Sequence, residues 1–148
     1  MQASGAGSYC TILLLLEYGA EVNAVDSEGR SALMYACQLK GRRTRRRPDL
    51  TCVKALIRHG ADIDHRDSTG RTALILTVMG LSDEGWGPFP LVPTLDAQTA
   101  CLSLLLEHGA DLTVADDEGR TVRDIGGVSD VVRAMLEKAQ HRNDHIMK

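Results

Sequence analysis

"LIRHGADIDHRDSTGRTAL", residues 56–74, decides how the rest of the chain is read. It starts on an apolar helical face and breaks at Gly60. A polar turn with a second glycine, Gly70, follows, and an apolar run resumes after Thr72. The same order occurs twice more. "TILLLLEYGAEVNAVDSEGRSAL" starts at Thr11 and "CLSLLLEHGADLTVADDEGRTVR" at Cys101, beside "CVKALIRHGADIDHRDSTGRTAL" at Cys52. Gly19, Gly60 and Gly109 lie 41 and 49 residues apart, and Gly29, Gly70 and Gly119 repeat those two intervals. Self-similarity in register means one structural unit stacked on copies of itself.

The physics of the unit is readable. Ile12, Leu15 and Leu16 align with Val53, Leu56 and Ile57, and with Leu102, Leu105 and Leu106. That i, i+3, i+4 spacing is one apolar helix face. Gly19, Gly60 and Gly109 then end each helix, where a left-handed backbone suits glycine. Ser31, Thr72 and Thr121 follow the second glycine and are expected to cap the next helix.

On these residues the chain resembles the ankyrin-repeat family, over roughly residues 11–138. The resemblance implies an all-α solenoid of stacked helix–turn–helix units with β-hairpin-like turns, whose neighbours bury one continuous core. The family's Thr-Pro-Leu-His is replaced by Ser31-Ala32-Leu33-Met34, Thr72-Ala73-Leu74-Ile75 and Thr121-Val122-Arg123-Asp124. Losing the proline removes a preset helix start. Arg123 stands where the other units have a core leucine. The last unit is therefore expected to be a cap, with short helices around Gly126-Gly127 and Val131, Val132, Met135 and Leu136 closing the stack.

One domain, 1–148, is expected. Its parts are a partial first unit (1–25), two repeats (26–66 and 67–115), a cap unit (116–138) and a polar tail (139–148). Ten residues before Thr11 are too few for a turn and a full helix. Leu13 stands where Lys54 and Ser103 stand later. An apolar residue on an outward face invites a cover. A trimmed chain, residues 1–10 folded over it, a partner chain and self-association are the open readings.

Against a repeat of about 33 residues, the two intervals leave about eight and about sixteen extra residues, so two long intra-repeat insertion loops are expected. The first holds "GRRTRRRP", 41–48, with Lys40, Arg42, Arg43, Arg45, Arg46 and Arg47. Four readings stand: a solvated loop, a dock for an acidic or phosphorylated segment through arginine forks, a nuclear-import tag, or a nucleic-acid contact. The second, 80–95, holds Trp86, Phe89 and three of the four prolines. These aromatic side chains either fold back on the helices or anchor a partner.

Charge argues against nucleic acid. Of the 17 Lys and Arg, six lie in 40–47; the other 11 face 20 Asp and Glu, a formal −9. An acidic body with one basic loop makes a poor groove reader. The longest apolar run, Ile12–Leu16, falls far short of the about 18 residues a membrane span needs. Residues 1–10 carry no Lys or Arg, so they lack the start of a signal peptide. With cysteines lacking CxxC spacing, a cytoplasmic or nuclear location is expected.

No residue set points to catalysis. There is no Gly-rich phosphate loop, HExxH or nucleophile elbow. No enzyme, cofactor or metal is expected. Cys37, Cys52 and Cys101 read as small buried hydrophobes. His59 and His108 flank helix-ending glycines, where a cation meets helix carbonyls. "DIDHRD", 62–67, reads as a solvated turn.

The resemblance implies protein binding through the hairpin tips and the exposed side of the first helices. The matching positions are Arg30, Tyr35, Gln38, Arg66, Arg71 and Arg120, with Trp86 and Phe89 in the second insertion. Arg30, Arg71 and Arg120 recur in register; they either pair with neighbouring acids or form a ladder for an acidic partner. "LLEYGAEVN" around Asn23 resembles substrates of the ankyrin-modifying asparaginyl hydroxylase, which makes Asn23 a modification candidate. The expected function is a non-catalytic protein–protein interaction module: a scaffold, adaptor or inhibitory subunit. The alternative is a structural or assembly segment of a larger multidomain protein.

Overall fold

The computed structural model describes residues 14–37, 50–81, 95–126 and 128–146. Six helices lie among them. Helix α1 is described over 14–17. Then come α2 (Ala32–Cys37), α3 (Leu50–Arg58), α4 (Ala73–Leu81), α5 (Leu95–Glu107) and α6 (Asp130–Ile146). Helices α2 and α4 pack on each other as an inner layer, and α3, α5 and α6 follow one another as an outer layer. Within a unit, α2 packs on α3 and α4 on α5.

The helices form where the apolar spacing places them. In α3, Cys52, Val53, Ala55 and Leu56 are buried while Thr51, Lys54 and Arg58 are exposed. That stripe faces the core, the usual design of a surface helix. Helix α4 has no such polar face: every residue from Ala73 to Val78 is buried. Ser31 and Thr72 cap as expected, accepting from Met34 N–H at 3.4 Å and Ile75 N–H at 3.3 Å. Thr121 precedes no helix. Its hydroxyl and backbone N–H both donate to Asp124 Oδ2, at 2.6 and 2.8 Å, closing a single turn.

Helices α1, α3 and α5 end the same way. Ala61 N–H donates to Leu56 O at 3.0 Å and Gly60 N–H to Ile57 O at 3.0 Å, with Gly60 at φ 85°. This is the Schellman closure, which needs a left-handed residue. Ala20, donating to Leu15 O at 2.9 Å, and Ala110, donating to Leu105 O at 3.0 Å, repeat it.

The cap differs from expectation. Its first part, 122–124, is a turn and not a helix, because Arg123 cannot take the buried place of Leu33 and Leu74. Arg123 is exposed and donates to Gln140 Oε1 at 3.1 Å, tying the turn to α6. That helix is long, 17 residues. It runs through the boundary drawn at 138, because Ala139 continues the buried face of Val132 and Leu136. Val131, expected to close the stack, is exposed. Cys37, Cys52 and Cys101 are buried as expected. The Cys101 thiol beside it, then burial, push the Cys37 thiol well above its ordinary value.

Gly70 joins two constraints. Its φ is +75°, and a Cβ there would stand 2.8 Å from Asp117 N and 2.4 Å from Asp117 Oδ1. Gly119 has the same backbone, φ +76°, but open space around it. Gly119→Ala should therefore cost only left-handed strain, about 1–2 kcal/mol. Gly70→Ala should cost about 1–3 kcal/mol more, because the next tip must also shift. Urea unfolding of the two variants side by side reads the difference.

Candidate functional site

Three tips, 20–30, 61–71 and 110–120, project from the stack in one row. Each is closed by one aspartate. Asp26 Oδ1 accepts the N–H of Glu28 at 2.8 Å and of Arg30 at 2.9 Å. Asp67 Oδ1 accepts those of Thr69 at 2.9 Å and Arg71 at 3.0 Å, plus the Thr69 hydroxyl at 2.7 Å. Asp116 Oδ1 accepts those of Glu118 at 3.0 Å and Arg120 at 2.9 Å. The backbone closes in parallel: Asp26, Asp67 and Asp116 donate to the carbonyls of Arg30, Arg71 and Arg120 at 3.1, 3.0 and 2.9 Å. Antiparallel bridges join Val25 to Ser31 and Ala115 to Thr121.

All three carboxyls are held below the ordinary carboxylate value. For Asp26 the Tyr35 hydroxyl, which donates to Oδ2, is the main cause, followed by Arg30 N–H. At Asp67 and Asp116 burial is the largest single influence and pushes upward, but the hydrogen bonds together outweigh it. "DIDHRD" is therefore no plain solvated turn. Asp67 is 7% exposed, and His65 Nε2 donates to Gly29 O at 2.8 Å.

The tips are also tied to each other. Ser68 N–H donates to Glu28 O at 2.9 Å, and Asp117 N–H to Thr69 O at 3.1 Å. One turn earlier, Asp62 N–H donates to Asn23 Oδ1 and Asp111 N–H to Asp64 Oδ1, each at 2.8 Å. Asn23 Nδ2 also donates to Gly60 O at 3.2 Å. Both polar atoms of Asn23, the modification candidate, are thus engaged between the first two tips. Asp64 occupies the same register position but has no N–H to give. Burial first, then the Asp111 and Asp62 carboxylates, raise its carboxyl above the ordinary value.

The arginines turn inward along this row. Arg30 Nη1 lies 2.8 Å from Glu28, and its Nε lies 3.8 Å from Asp67 of the next tip. Arg71 reaches Glu118 of the next tip at 3.8 Å. Arg120 closes on its own tip, with Nε and Nη2 on Asp116 at 3.1 and 2.9 Å and Nη1 on Glu118 at 3.0 Å. Arg66 is exposed and bridges to Ala115 O at 3.0 Å and Asp117 at 3.4 Å. Tyr35 is half-buried. His59 Nδ1 donates to Ala55 O at 2.8 Å, the helix-end role expected of it. Gln38, Trp86, Phe89 and the basic set Lys40, Arg42, Arg43, Arg45, Arg46 and Arg47 lie outside the described residues.

A family model for ankyrin repeats, in three copies, matches residues 1–116. The chain belongs to the ankyrin-repeat family. Ankyrin repeats are protein–protein interaction modules. The match ends at Asp116, so α6 lies beyond it. A comparison with curated proteins found no match. Among the described residues of this ankyrin chain, no His, Cys, Asp or Glu cluster could hold a metal ion, and no helix is long and apolar enough to cross a membrane.

Asp26, Asp67 and Asp116 are not among the expected site residues, although they recur in register at the start of each Asp-x-x-Gly-Arg stretch. Asp67→Ala strands two partly buried backbone N–H groups of the tip. Urea unfolding should show a loss of about 2–4 kcal/mol, the cost of two unsatisfied donors. In the wild type, these depressed carboxyls supply stability at pH above the ordinary carboxylate value. It is lost as pH falls through their lowered values.

Asp64 has the opposite sign. Its raised value means that ionising it opposes folding, so its contribution declines as pH rises through that value. Asp64→Asn removes the charge and supplies an amide N–H which, by the register that pairs Asn23 with Gly60, is expected to reach the Gly109 carbonyl. Thermal unfolding at pH 7 should show a gain of about 0.5–1 kcal/mol. The gain should shrink in acid, where the wild-type carboxyl is protonated.

Proposed function

We propose that this ankyrin domain is a non-catalytic recognition module, acting as a scaffold, adaptor or inhibitory subunit, and that the row of tips is its contact edge. One observation carries the reading: the three tips are tied in register by repeated backbone and side-chain bonds. Side chains on a pre-ordered edge lose little freedom on binding, which favours affinity. The exposed set along it includes Ser27, Glu28, Arg66, Ser68, Thr69, Asp117 and Glu118.

The partner's charge follows from how the arginines are held. An acidic or phosphorylated segment would bind Arg30, Arg71 and Arg120 only by displacing Glu28, Asp67, Asp116 and Glu118. Fork geometry and a doubly charged phosphate favour that exchange. A basic segment would instead use the exposed carboxylates of Glu28, Asp117 and Glu118.

A photo-crosslinking side chain at Ser68 should capture the partner, whereas one at Arg133, on exposed α6, should not. Arg71→Glu should then weaken capture about tenfold or more if the segment is acidic, the scale of a lost charge-assisted contact. Glu28→Lys with Glu118→Lys should do so if it is basic. Equal capture from Ser68 and Arg133 would remove the tips from the binding edge.

A further inference from the structure

The two ends of the stack are not alike. Leu15, Leu56 and Leu105 hold one register position, yet Leu15 is 43% exposed while Leu56 and Leu105 are 1% and 0%. Leu14 is 53% exposed where the equivalent Ala55 is 5%. The difference lies in what covers them. Helix α2 packs on α3 and α4 on α5, and no described helix stands before α1 in that place.

The same edge carries the donor half of each inter-tip bond. Ser27 is the equivalent of Ser68 and Asp117, whose N–H groups donate to the preceding tip. Glu21 is the equivalent of Asp62 and Asp111, which donate to Asn23 and Asp64. Among the described residues, nothing accepts from Ser27 N–H or Glu21 N–H. The charges follow suit. Between tips, the cation comes from the leading unit and the acid from the trailing one, as in Arg30 with Asp67 and Arg71 with Glu118. Asp26 and Glu28 are the corresponding acids of the first tip.

We propose that this N-terminal face is an open stacking interface matched to one occupant, a further ankyrin-type unit. Such a unit brings an apolar inner helix for Leu14 and Leu15. Its tip brings a carbonyl for Ser27 N–H, an Asn or Asp side chain for Glu21 N–H, and an arginine for Asp26 and Glu28. The interface is the one already formed twice along this chain, continued by one step. It concerns the end of the stack and stands independently of the tip-edge reading above.

Other occupants fit less well. A second copy facing the first by two-fold symmetry brings donor to donor and Glu17 and Glu21 against themselves. Head-to-tail stacking fails at the other end. There Thr113 replaces the Asn23 and Asp64 acceptors, and Arg120 is closed on Asp116 instead of reaching forward. Residues 1–10, "MQASGAGSYC", hold two glycines and no Leu, Ile or Val, a poor inner helix.

The test inserts a copy of residues 50–98 between Ser8 and Tyr9 of the full chain, keeping the repeat register. Hydrogen exchange at Glu21 and Ser27 is compared with the unextended chain. The proposal expects both amides to exchange about tenfold or more slowly in the extended chain. Leu15→Glu should abolish that protection in the extended chain and leave the thermal midpoint of the unextended one nearly unchanged. Unaltered exchange at both amides would overturn it. So would amides already protected in the unextended chain, whether as a dimer by light scattering, which assigns the face to a second copy, or as a monomer, which assigns it to residues 1–13.

Discussion

One carboxylate per unit holds each tip of the row together. Asp26, Asp67 and Asp116 each take two backbone N–H groups that a tight turn would otherwise leave unpaired. A buried orphan donor costs as much as a hydrogen bond gains, so the tip exists because the acid does. Everything beyond the tip follows from that closure. It fixes the carbonyls of Glu28 and Thr69 where the next unit's N–H can reach them. It also fixes Arg30 and Arg71 where they meet the next unit's acids.

Two kinds of force therefore join neighbouring units. Apolar helix faces bury Leu33, Leu56, Leu74 and Leu105 in one continuous core. The tips add directional bonds that set the register. Burial is tolerant of small slips, whereas a hydrogen bond needs its partner within a few tenths of an ångström. The helices supply the cohesion, and the tips supply the alignment that a binding edge requires.

Much of this was legible in the sequence. The i, i+3, i+4 faces, the helix-ending glycines and the Ser31 and Thr72 caps are local properties, and they appear where the residues place them. Pairing across units was harder to see. Asn23 and Asp64 look like ordinary turn residues until the stack brings Asp62 and Asp111 against them. For the row Arg30, Arg71, Arg120, pairing with neighbouring acids was one of the two readings, but the sequence does not show that acids of the next tip, Asp67 and Glu118, take part. The cap was misjudged for a related reason. Arg123 marked a cap, with short helices expected, but the length of α6 depends on Ala139 finding the core, and alanine carries little pattern of its own.

Helix α4 has no face that water would accept. With Ala73 through Val78 all buried, it is stable only in the company of α2 on one side and α5 on the other. The middle of the domain therefore cannot be the first part to open. Opening is easiest where apolar burial is least, and among the described units that is the first, with Leu14 and Leu15 exposed. A ligand gripping the first tip would be holding the least secure part of the stack. Its binding energy would then be spent partly on keeping that unit folded. The grip on the second and third tips rests on a core that is already closed.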